Sequence, residues 1–230
     1  MNTRLMTIII IALCIAPFVA PAEDLQRPWW RGEWSTTSQY WEFLDPFAGP
    51  IPPDGIPEGG RPYLDSTEVT VDGHQWLIVD QVYNYEYEGQ TGTVGIGVWQ
   101  LSGAMEVIVD NHDPNPENEK WLWVQLTWRP TNDPAAAPDL VNLFPAPVNA
   151  PRVVEEIFLG PPDDPLGWRE TTYAWELDHN PPDEMFTIMG DISVDELVID
   201  TWCVPEPGVF ALAGLGLLAL LRRRKKRSGR

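Results

Sequence analysis

The sequence predicts an all-β protein, a single antiparallel β-sandwich or jelly roll with long Pro- and Gly-rich loops. Three observations predict it. Apolar and polar residues alternate at a period of two along much of the chain, the pattern of a strand with one buried face. The 24 Pro and 18 Gly among 230 residues leave little room for long helices. Turn-forming clusters separate the alternating stretches, so about nine or ten short strands follow one another without the helical intervals of a βαβ fold.

An opening strand is expected at 34–43, where helix is not excluded. Val69 and Val71, then residues 76–79, predict two strands joined as a hairpin at Asp72-Gly73, because Gly tolerates the positive φ of tight turns. Residues 82–87 alternate strictly and put Tyr83, Tyr85 and Tyr87 on one face. Val94, Ile96 and Val98 alternate with Gly95 and Gly97, which predicts one strand with a bulge or a close backbone approach. Residues 106–110 are a short β-branched run. Within 120–129, Leu122, Val124, Leu126 and Trp128 share one face, and Trp121, Trp123, Gln125 and Thr127 share the other. Further strands are expected at 153–159, 168–177, 184–189 and 192–202. In the last of these Ile192 and Val194 fall out of step with Leu197 and Ile199, so a bulge near Asp195-Glu196 is needed to keep one inward face. The stretches 45–62 and 129–151 hold six Pro each. They read as surface loops of one domain packed by Phe47, Leu143 and Phe144, since the pieces on either side are too small for separate cores. Residues 202–207 read as a short stem.

Charge excludes a function class. Seven of the 15 basic residues lie at or after Arg222 and one more is Arg4, so the body carries seven basic against all 34 acidic residues, a formal charge of −27. Such a surface repels phosphate backbones, and no nucleic-acid partner is expected. A hydrophobic content of 43% with 12 Trp supplies a core large enough to offset chain entropy.

Both ends read as addresses. Residues 1–22 form a signal peptide: Arg4 is the basic n-region, 5–19 the apolar helix, and Ala20-Pro21-Ala22 the cleavage site, which implies passage through the secretion translocon. Residues 23–203 are then the β-sandwich ectodomain. Residues 204–230 hold Pro205-Glu206-Pro207, an apolar stretch at 209–221 and a basic end at 222–230 containing Arg222, Arg223, Arg224, Lys225, Lys226 and Arg227. Thirteen apolar residues make a helix of roughly 20 Å against a hydrocarbon core of about 30 Å. This is a poor permanent span but suits a transient anchor in the inner membrane, its basic end on the cytoplasmic side.

With motif, span and basic end in this order, the tail resembles the PEP-CTERM sorting signal of bacteria with an outer membrane. That resemblance covers the tail only. It implies that the membrane enzyme exosortase recognises Pro205, Glu206 and Pro207, removes the tail and sends the protein to the cell surface or extracellular matrix.

The body offers weaker signals. Asp110, Asp113, Asn115 and Glu117 crowd oxygen ligands into one loop, which we read as a solvated acidic turn with Ca²⁺ as the alternative. His112 and His179 lack partners at zinc spacing. Cys203 is the body's single cysteine, so no intramolecular disulfide can form; it reads as a buried or membrane-proximal thiol, with an intermolecular disulfide or a nucleophile as the alternatives. No nucleophile elbow is present and no catalytic residue is assigned; glycoside hydrolysis is the remote alternative, and with 34 acids some carboxylate pair qualifies by chance, so carboxylate spacing does not argue for it. Trp29, Trp30, Trp121 and Trp123 are the candidates for stacking on sugars of an extracellular polysaccharide. The expected role is a non-catalytic structural or adhesive surface component, with a carbohydrate-binding module as the alternative; a faint likeness to carbohydrate-binding jelly rolls carries no motif.

Overall fold

A computed structural model describes residues 25–33, 36–43, 51–57, 68–72, 75–77, 83–87, 90–94, 98–101, 104–110, 119–160 and 163–204. The expected signal helix, the loop at 111–118 and the tail beyond Val204 lie outside the described residues.

Thirteen strands and no helix make up the described residues: β1 (Thr36–Trp41), β2 (Glu68–Asp72), β3 (Gln75–Leu77), β4 (Tyr83–Tyr87), β5 (Gln90–Val94), β6 (Val98–Leu101), β7 (Ala104–Asp110), β8 (Glu119–Pro130), β9 (Asp139–Phe144), β10 (Arg152–Phe158), β11 (Arg169–Leu177), β12 (Asp183–Met189) and β13 (Ile192–Val204). They form an antiparallel sandwich. One sheet runs β10-β11-β8-β13-β6-β3, and β1 lies beside β13. The other runs β2-β7-β12-β9, and β4 and β5 form a separate hairpin.

The longest strand organises the first sheet. One edge of β13 pairs with β8 along its length; the other pairs first with β6, through Ile192 to Val194, and then with β1, from Leu197 to Trp202. Pairing with β8 shifts between Val194 and Glu196, the predicted bulge, and that shift turns both Val194 and Leu197 inward. Between the sheets, Leu122, Val124, Leu126 and Trp128 of β8 meet Met105, Val107 and Val109 of β7 and Phe186 and Ile188 of β12. Trp175 packs edge-on against Phe186 with centroids 5.4 Å apart. Rings of this size bury on the order of 150–250 Å² each and dominate the hydrophobic stabilisation.

Four expectations change. β2 and β3 are not a hairpin: β2 pairs with β7 in one sheet and β3 with β6 in the other. The stretch 94–98 is likewise two strands, β5 and β6, in different sheets. β9 lies within the Pro-rich 129–151 stretch, where Leu140 and Leu143 pack on the core while Phe144 is exposed. The stem begins later than expected, because Trp202 and Cys203 still pair with Trp121 and Lys120.

Candidate functional site

The outward face of the β8-β13 sheet is covered by residues 25–33, which form a strap. Two tight turns shape it, with Pro28 accepting from the Arg31 amide at 3.1 Å and Trp30 from the Glu33 amide at 3.0 Å. Gly32 adopts φ 84°, the left-handed region that a side chain would strain. Gln26 is gripped from both sides: its amide donates to Gln125 Oε1 at 2.8 Å, and Trp123 Nε1 donates to its carbonyl at 2.7 Å. Arg31 reaches Asp200 as a two-pronged fork, Nε to Oδ1 at 2.7 Å and Nη2 paired with Oδ2, both side chains fully buried. Burial raises the Asp200 carboxyl above its ordinary range, and the Arg31 guanidinium opposes that rise only in part.

The strap also assembles an aromatic cluster around Trp202. Trp29 meets that ring edge-on at 5.3 Å, Trp30 stacks on it at 5.8 Å, and Trp121 meets it edge-on at 5.9 Å. Of the four stacking candidates, Trp30 is 1% exposed and offers no free face, because the strap turns its ring inward onto Trp202. Trp121 and Trp123 are half-buried, and Trp29 is 77% exposed. Any sugar platform at this end therefore centres on Trp29 and the uncovered edges of Trp121 and Trp202. Trp202 and the Arg31–Asp200 pair escaped the sequence reading. The signal was there in part, since Arg31 is one of only seven cations in a strongly acidic body.

Other polar groups are buried where chemistry would show. Burial pushes the Glu170 carboxyl up to about 8, opposed by the Leu25 amide of the strap. Burial and the neighbouring Asp54 push Glu42 up to about 7, and Asp54 Oδ2 accepts from the Glu42 amide at 2.6 Å. Burial likewise raises the Tyr173 hydroxyl. Lys120 of β8 is paired with Glu184 of β12 in the layer between the sheets. Cys203 is a buried free thiol. No group of three or more His, Cys, Asp or Glu that could hold a metal occurs among the described residues. The Ca²⁺ candidates Asp113, Asn115 and Glu117 lie outside those residues, as does the Asp110 side chain.

β13 ends at Val204, so the Pro-Glu-Pro element at 205–207 follows the last paired residue directly. Residues 204–225 match the PEP-CTERM protein-sorting motif. The motif implies processing by exosortase, a membrane enzyme, and export to the cell surface or beyond. No curated protein and no solved structure matches the chain.

Proposed function

We propose that this chain is an exported component of the cell surface or extracellular matrix whose sandwich plays a non-catalytic structural or adhesive role. On this reading the translocon exports it behind the signal at 1–22, the apolar stretch 209–221 holds it briefly in the inner membrane, and exosortase removes the tail. The observation that carries the reading is the sorting motif at 204–225, joined without a linker to a central strand. The intact mass of protein recovered from the cell surface tests it. The expected species begins at Glu23 and lacks the basic end; a species still ending at Arg230 contradicts processing.

One observation favours a second reading, in which the sandwich holds extracellular polysaccharide. An indole 77% exposed beside two half-buried ones is a costly surface unless something covers it. Pyranose rings stack on such faces while neighbouring carboxylates and amides take their hydroxyls. Retention on polysaccharide columns separates the readings. Binding that is lost in Trp29→Ala supports the adhesive module, and passage through every polymer leaves the structural role.

A further inference from the structure

Lys120 and Glu184 stand on opposite sheets, in β8 and β12, and meet in the layer between them with side chains 0% and 3% exposed. Lys120 lies on the inward face, its register partners being Leu177 and Cys203, both buried. Glu184 sits opposite the buried Val109. An ammonium carries three N–H donors. Among the described residues the Glu184 carboxylate is the charged partner that faces Nζ. Burying two charges costs desolvation, which their mutual attraction offsets only in part. The body's single cysteine also denies the fold an internal disulfide.

We propose that Lys120 and Glu184 are a site of spontaneous covalent modification, an amide joining Nζ to Cδ that staples the two sheets together. In this step one proton first passes from Nζ to the carboxylate, giving a neutral amine and a neutral acid. The Nζ lone pair then attacks Cδ, the bond from Cδ to one oxygen breaks, and that oxygen leaves as water carrying two of the three protons that the ammonium began with. The nitrogen keeps the third. Nothing is oxidised or reduced, and no co-reactant is needed. Three features of the site favour the product. The reactants are held together by the fold, and aligned intramolecular pairs react as though at roughly 10⁵–10⁸ M. The amide replaces two desolvated charges and three donors with a neutral group bearing one donor. The surrounding Leu122, Leu177 and Val109 exclude the water that hydrolysis would require.

Peptide mass mapping of the folded full-length chain tests this. The expected result is a chain lighter by one water, with a branched peptide joining the β8 and β12 segments at Lys120 and Glu184. Fragment spectra of that branch separate it from dehydration at Asp54-Gly55 or Asp72-Gly73. Lys120→Arg should lose the branch completely, and should it fail to fold, the parent chain alone decides. A cooperatively unfolding parent with unmodified Lys120 and Glu184 overturns the proposal. So does loss of one ammonia with Lys120 joined to Asn180, a buried amide in the turn before β12.

Discussion

At the scale of single residues, this acidic protein uses its few interior cations and its buried acids as fixed structural parts. Arg31 holds the strap to Asp200 with both side chains out of water. Removing one partner strands the other charge, so Arg31→Ala should cost about 3–5 kcal/mol in urea unfolding. Arg31→Met with Asp200→Leu should restore most of that loss, because neither desolvated charge remains; a double variant no better than the single would show that the pair does more than neutralise itself. Glu170 sets a pH dependence. The native state holds its carboxyl proton up to about 8 against an ordinary 4.5, so its contribution to stability is complete below about 4.5 and disappears as pH rises through 8. One such proton gives a slope of at most about 1.4 kcal/mol per pH unit inside that window. Glu170→Gln should flatten the fall in stability between pH 5 and 8 by that contribution. The residual slope belongs to Asp200, Glu42 and the repulsion of a body carrying a formal charge of −27. Equal slopes in parent and variant would remove Glu170 from the account.

At the scale of elements, the strap behaves as a further layer of the fold. It covers Gln125 and Asp200, which a bare sheet would leave in water. Trp30→Ala should therefore cost about 3–5 kcal/mol, the cost of deleting a buried aromatic, and should raise hydrogen exchange along β13. Exchange unchanged in β13 would mean that the strap lies on the sheet without protecting it. The same layer explains what the sequence concealed. The two faces of β8 and the bulge in β13 were legible because period-two alternation is a local property, and a one-residue slip has a local signature in Val194 and Leu197. The sheet crossings at β2-β3 and β5-β6 were not, because alternation names a strand without naming its partner. β9 was hidden by Pro138, Pro145 and Pro147, whose usual meaning is loop. Trp30 reads as a surface indole until the strap's path is known. In the candidate site the motif at 205–207 was legible as a contiguous string, whereas the Trp29–Trp202 and Arg31–Asp200 contacts join opposite ends of the chain and leave no local trace.

At the scale of the whole molecule, the two ends of the described chain converge on one end of the sandwich. Trp29 and Trp30 of the strap touch Trp202, two residues before the strand stops and three before Pro205. The sorting motif thus emerges from a strand whose pairing with β1 and β8 is complete only when the sandwich has folded, and 209–221 begins four residues beyond Pro205. Extended backbone from Val204 to Val209 spans at most about 17 Å, so a membrane-held tail keeps the folded domain close to the bilayer while the Pro-Glu-Pro element is accessible. Recognition then depends on the three residues themselves, since no long linker presents them. Replacing Pro205, Glu206 and Pro207 together by Ala should leave the ectodomain's melting transition unchanged, because none of the three belongs to β13. In cells that contain exosortase the same replacement should shift the protein from the surface fraction to the membrane fraction, with an intact mass that still includes Arg230. Surface delivery at the parental level would show that these residues are not the element read by the sorting machinery. A lowered melting transition would instead show that the motif is part of the fold.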